Sequence, residues 1–235
     1  MKESRGKIAP LFVILFASVL ALSTVASVSA DDASDAKQLV EKARMSLENF
    51  QDAKEMDAFR NLLKKAKGVF IAPQVLKGAF IVGASGGSGV LLARDAKTRN
   101  WHGPAFYTIG EASFGLQAGG TASEVVLLAM TDRGVTAFLS DSLKLGGDVG
   151  VAMGPVGAGA AAATANLSAD IISFSRSKGL YGGVSVDGAV VATRDSLNEA
   201  YYGKQVNSTD ILVRHAVENA QAAGLIKAVS QAAGK

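Results

Sequence analysis

The sequence of 235 residues has no cysteine, two histidines, one tryptophan and four prolines. The missing cysteine excludes disulfides, thiolate zinc sites, iron–sulfur clusters, a cysteine nucleophile and a lipidated cysteine anchor. His102 and His215 are too few for a common metal site, and no HExxH spacing occurs. Charge is sparse: 19% of residues are charged and the net charge is +3. Removing Lys2, Arg5, Lys7 and Glu3 with a leader takes two positive charges away and leaves a mature chain at +1. So weak a field does not hold nucleic acid non-specifically. What the chain has in quantity is apolar side chains, 49%, and glycine, 26 residues. That is enough to bury a core, and it argues against wholesale disorder.

The N-terminus reads as an address. A basic start is followed by a mostly apolar stretch from Ile8 to Leu22, and Val28-Ser29-Ala30 supplies small or compact residues for a leader peptidase. The run is shorter than the roughly 18–20 residues that span a bilayer. Residues 1–30 are therefore expected to be a cleaved secretory leader, which puts the mature chain in the periplasm or outer cell envelope. The remaining length fits one domain.

Residues 31–66 form a helical lead-in: Ala36, Leu39, Val40, Ala43, Leu47 and Phe50 recur at the spacing of one helical face, with a break near Gln51-Asp52. Residues 67–204 change period. Val69 to Ile71, Ala79 to Val82, Val90 to Ala93, Val125 to Met130, Val149 to Met153 and Ile171 to Ser175 are short apolar runs that read as strands. Thr131-Asp132 is placed to cap a short helix to about Leu139. Asp187-Gly188 between Val184–Val186 and Ala189–Thr193 signals a hairpin. Gly157 to Ala165 is almost all Gly and Ala and reads as a loop or a closely packed strand. Residues 205–235 return to helix, expected from Ser208 to Val229. Together these predict an α+β fold: a curved, mainly antiparallel, Gly-rich sheet or partly closed barrel, with helices at both chain ends.

The candidate chemistry is thin. Gly83-Ala84-Ser85-Gly86-Gly87 satisfies the nucleophile-elbow pattern, and an acid such as Asp187 or Asp195 followed by His215 supplies a hydrolase's chain order. No oxyanion segment or alternating strand–helix pattern accompanies it, and a turn or bulge explains the glycines better. Backbone cradling of an anion by the same loop is the other reading. Lys64, Lys65, Lys67 and Lys77 are the notable basic cluster, candidates for a lipid headgroup. Trp101, Phe106 and Phe114 are candidates for acyl-chain contact, with core packing as the alternative. No metal ligands, cofactor or catalytic residues are assigned.

Gly86-Gly-Ser-Gly-Val-Leu-Leu-Ala-Arg94, Trp101-x-x-Pro104, Gly115-x-Gln117-x-Gly119-Gly120, Gly154-Pro155-x-Gly157, Ser173-Phe-Ser175, Lys178-Gly-Leu-Tyr-Gly-Gly-Val-Ser-Val186 and Tyr202-Gly203 together resemble the SYLF domain family. The resemblance covers about Lys67 to Lys204. Eukaryotic members bind phosphoinositides and membranes, often beside a Src-homology module, and some bind actin; secreted bacterial members are single-domain envelope proteins described as lipid-binding. The chain looks like the bacterial type. The resemblance implies a secreted, non-enzymatic phospholipid-binding protein of the bacterial envelope, with a phospholipid or membrane surface as partner. The alternative is a structural envelope protein that binds a protein partner through exposed helix faces; a serine hydrolase using Ser85 is the remote one.

Overall fold

The computed structural model describes residues 9–79, 82–114, 119–157, 160 and 168–234, without the side chains of residues 9–30, 79, 82–83, 112–114 and 119. A long helix, α1 (Ala9–Asp52), leads into a short one, α2 (Asp57–Leu63). The stripe read from the sequence is the buried one. Ala36, Val40, Ala43, Leu47 and Phe50 are buried on one face of α1, and Phe59, Leu62 and Leu63 continue the core from α2. Four long strands follow: β1 (Gly68–Ala79), β2 (Val82–Arg94), β3 (Trp101–Phe114) and β4 (Gly119–Ala129). Helix α3 (Asp132–Ala137) starts at Thr131, whose hydroxyl accepts the Gly134 N–H at 3.0 Å, the cap expected from Thr131-Asp132.

Then come β5 (Ser142–Lys144), β6 (Val151–Met153), β7 (Ile171–Ser177), β8 (Leu180–Gly182) and β9 (Val190–Thr193). Helices α4 (Asp195–Tyr202), α5 (Ser208–Leu212) and α6 (Ala223–Ala232) close the chain. Among the described residues the strands form one sheet in the order β5-β9-β3-β2-β1-β4-β7-β6, with β8 beside β7. Its ladders are antiparallel except β6 on β7, so the sheet is mixed, and it curls into a half-barrel. The α+β class and the curvature are as the sequence predicts.

Each central strand is buried on both faces at one end. Val69, Ile71, Val90, Leu92, Phe106, Val126, Leu128, Ile172 and Phe174 pack under α1, α2, α4 and α6. Their neighbours Phe70, Leu91, Tyr107, Leu127 and Ile171 face a second cluster with Phe138, Leu143, Val191, Ile211 and Leu212. That is why these runs are continuous rather than alternating: period-two patterning appears only where one face meets water.

The structure corrects several local expectations. The segment Gly83 to Gly87 is not a loop: it lies inside β2, paired with Ala79 to Val75 on one side and with Ser113 to Ile109 on the other. A bulge does occur, but in the partner strand, where β1 shifts register between Ile71 and Gln74. The run expected at Ala79 to Val82 straddles the β1–β2 connection, with Phe80 and Ile81 outside the described residues. Asp187-Gly188 does make a turn, with the Ala189 N–H on the Val186 carbonyl at 3.1 Å. Its arms do not pair with each other, however, because β9 is taken up by β3 and β5. The C-terminal helix is interrupted after Leu212 and resumes at Ala223, preceded by a 3-10 turn at Ala220–Ala222. Helix α4 and strand β5 have no counterpart in the sequence reading. Most of Gly157 to Ala165 lies outside the described residues.

Two glycines make the β1–β2 contact possible. A Cβ on Gly87 would stand 2.1 Å from the Gln74 carbonyl oxygen, and one on Gly89 would stand 2.4 Å from Phe70 Cζ. Gly86, just before them in sequence, has its nearest neighbour, the Ile109 carbonyl oxygen, at 3.9 Å. Gly87→Ala is expected to lower stability by about 1–3 kcal/mol through forced backbone displacement, whereas Gly86→Ala stays within about 0.5 kcal/mol of the parent; urea unfolding of the two variants measures the difference.

Asp170 ties three segments together. Its carboxylate accepts the Thr131 hydroxyl at 2.6 Å and the Gly150 N–H at 3.1 Å, and its carbonyl accepts the Met130 N–H at 2.8 Å. The Thr131 hydrogen bond, then that of Gly150, holds the carboxyl below its usual range. A depressed folded pKa stabilises above the unfolded value, and the gain is lost as pH falls through the folded one. Asp170→Asn is therefore expected to lose stability at neutral pH and to show a flatter acid limb below about pH 4, the unfolded carboxylate value, in urea titrations across pH.

Candidate binding groove

Where the apolar rows under α1 stop, a polar row begins. Register places Arg176 of β7 beside Glu124 of β4, Gln74 of β1 beside Ser88 of β2, Ser88 beside Thr108 of β3, and Thr108 beside Ala192 of β9. This row crosses six strands, five spacings of about 4.8 Å, or roughly 24 Å. Helix α1 lies over it and leaves a groove open to solvent. One part, about 470 Å³, is lined by Lys42, Met45, Ser46, Pro73, Glu124 and Arg176, with Lys178 at its end. The adjoining part, about 270 Å³, shares Lys42, Pro73 and Gln74 and reaches Leu76, Ser88 and Arg194.

Hydrogen bonds hold the groove open. Glu124 accepts the Ser46 hydroxyl from α1 and the Arg176 guanidinium from β7, each at 2.7 Å. The Arg176 guanidinium also lies 5.6 Å from the centre of the Tyr181 ring, and its Nε is buried with no hydrogen-bond partner among the described residues. Burial pushes the Tyr181 hydroxyl up from its ordinary pKa, so it stays a phenol and donates to the Asn49 carbonyl at 2.8 Å. At the other end Arg194 donates to the Ser88 hydroxyl at 2.8 Å. The ion pairs among the described residues give Lys42, Lys178 and Arg194 no carboxylate partner. Met45 and Leu76 line the groove with more than half their surface exposed, and Leu180, 77% exposed, stands just past Gly179 at its end. These lining groups are hydrogen-bonding side chains, cations and apolar side chains, a set that can hold a ligand.

The residues singled out from sequence fall elsewhere. Lys64 and Lys65 are exposed at the end of α2. Lys67 pairs with Asp132 at 2.6 Å. Lys77 stands near the opposite end of β1, paired with Ser85 and Thr121. Ten residue steps of extended chain lead to it from Lys67, roughly 33 Å, so the four lysines do not form one cluster. Phe106 is wholly buried, its ring 5.0 Å from that of Tyr201. Trp101 is buried too, yet it lines a separate cavity of about 590 Å³ with Ile211, Val217, Ala223 and Ile226. The side chain of Phe114 lies outside the described residues. Ser85 sits mid-strand beside Lys77 and Glu111, without the strand-to-helix turn an elbow requires. Among the described residues no group of three or more His, Cys, Asp or Glu is placed to hold a metal.

Sequence reasoning missed the groove because its walls come from α1, β1, β2, β4, β7 and Arg194 just past β9, with no local motif. Lys42 lies between Glu41 and Arg44 in a mixed-sign stretch of α1, with nothing local to single it out. The one local signal is Pro73, which interrupts an apolar strand run where a bulge is needed.

A family described as "Ysc84: Las17-binding protein actin regulator" matches residues 110–232. The SH3 domain-containing YSC84-like protein 1 of Homo sapiens is 35% identical over 169 residues, 70% of this chain and 48% of that protein. Protein YSC84 of Saccharomyces cerevisiae is 36% identical over 156 residues, 64% of this chain and 33% of its own length. The LAS seventeen-binding protein 3 of the same yeast is 35% identical over 156 residues, 65% of this chain and 34% of its own. The chain thus spans about half of the mammalian relative and a third of the yeast ones.

Glu124 carries the groove's internal bonding, and Glu124→Ala is expected to lower stability by about 1–2 kcal/mol, the cost of stranding two partly buried donors. Ser46→Ala added to it costs little more, since the hydroxyl has already lost its acceptor; a urea double-mutant cycle reads both.

Proposed function

This chain belongs to the Ysc84 (SYLF) family, and from that premise we propose that it is a non-catalytic binding module whose ligand is another protein, held on the groove between α1 and the sheet. The observation that carries the reading is the groove itself: an open trough edged by exposed Met45, Leu76 and Leu180. Apolar side chains exposed together around a concavity are a common mark of an interaction surface. The Las17-binding character named for the family and for its yeast relative supports a protein ligand. That character belongs to those proteins; Las17 itself is not proposed as this chain's partner. The leader expected at residues 1–30 supports export, and with it a partner in the cell envelope.

A photo-crosslinking side chain at Leu76 is expected to give a discrete protein adduct in the native cell, while the same group at Val213, exposed on the opposite side, gives none. Equal adducts at both positions, or none at Leu76, would sink the reading.

A phospholipid ligand is the second reading, favoured by the Trp101-lined cavity, whose volume lies in the range of small-molecule sites. Lipid that co-purifies with the chain and is lost when Ala223→Trp fills that cavity is the outcome it requires. Lipid-free protein and no uptake by anionic or zwitterionic vesicles count against it.

A further inference from the structure

The groove carries a net positive charge, four cations to two carboxylates. Lys42, Arg176, Lys178 and Arg194 line it against Asp35 and Glu124. Glu124 is already committed to Ser46 and Arg176. The excess positive charge is also distributed rather than clustered. Lys178 sits in the β7–β8 turn at one end. Lys42 projects from α1 and lines both parts. Arg194 marks the far end, just past β9. The apolar contacts, Met45 and Leu76, lie between them.

The geometry points to an extended, acidic segment of a partner protein as the occupant of this groove. The inference rests on the protein-binding reading above and names the chemistry of the partner. The lining runs from β7 to Ser88 of β2, where the Arg194 guanidinium ends, three strand spacings or roughly 14 Å, which holds about four residues of extended chain at 3.3 Å each. In an extended chain alternate side chains point to opposite sides, so a segment alternating acidic and apolar residues sets carboxylates toward the spaced cations and aliphatic groups toward Met45 and Leu76. A compact headgroup engages one cation or two at a time; only an elongated anion reaches all three separated positions. Complementary charge of this kind selects the partner and its register.

The test uses the purified full chain and a fluorescein-labelled octapeptide of alternating Glu and Leu, beside the same peptide with Lys in place of Glu. Fluorescence anisotropy is expected to show the Glu peptide binding at least about 10-fold more tightly than the Lys peptide, with the margin shrinking as salt rises. The double variant Lys42→Glu/Lys178→Glu is expected to abolish or invert that preference. Both positions are exposed, so its melting curve should match the parent's and exclude misfolding. Equal affinity for the two peptides, or an unchanged preference in the variant, overturns the proposal. So does uptake by phosphatidylglycerol vesicles that is lost in the variant while neither peptide binds, since the cations then read a lipid headgroup. A Leu76 crosslink that persists without any peptide preference overturns the acidic-segment inference alone and leaves the protein-binding reading standing.

Discussion

The close approach of β2 to β1 at the Ala72–Pro73 bulge is the constraint on which the rest depends. With the extra residue in β1, the Gln74 carbonyl is pushed to where a Cβ on Gly87 would sit, and only glycine lets the two backbones stay in register beyond it. On one side of the bulge the strands are apolar on both faces and wholly covered. On the other they are rich in glycine and small residues and largely uncovered. The bulge also resets which residues of β1 face α1: Val69 and Ile71 before it, Gln74 and Leu76 after it. The one-residue irregularity therefore decides which β1 residues meet the groove.

The two apolar clusters explain why the groove is stable while it stays open. Helix α1 is anchored through Leu47, Phe50 and their neighbours over the covered half of the sheet. Its earlier turn, around Leu39 and Lys42, extends past the last apolar row without filling the space beneath. Glu124 then acts as a strut, joining α1 through Ser46 and β7 through Arg176. A partly exposed strut of this kind contributes modestly to stability; its larger effect is to fix the distance between helix and sheet.

The residues of this chain that carry the family resemblance are mainly glycines, with Trp101 and two prolines, rather than reactive side chains, and the structure gives several of them mechanical roles. Gly89 makes room for the Phe70 ring, and Gly154 for that of Phe174. Trp101 opens β3 beneath the Arg94 guanidinium. Ser85, the one residue that matched a catalytic pattern, is a strand residue among them. A scaffold built this way positions surfaces, which agrees with a binding role.

The helical stripe of α1, the apolar runs of the central strands and the Thr131 cap could all be read from the chain, because each depends on neighbours a few residues apart. The α+β class and the curved sheet followed from those runs and the glycine content. Distant segments decided the rest. Asp187-Gly188 forms its turn, but β3 and β5 compete successfully for the strand beyond it. The C-terminal helix breaks at Leu212, where α5 packs on the second cluster while α6 returns to the first. Lys67 and Lys77, close in sequence, are held apart by the rigid length of a strand, while Lys42, Glu124, Arg176 and Arg194 converge across more than 150 residues. Local periodicity records which face of an element is apolar; only the folded sheet, through register and the bulge, determines which polar groups meet.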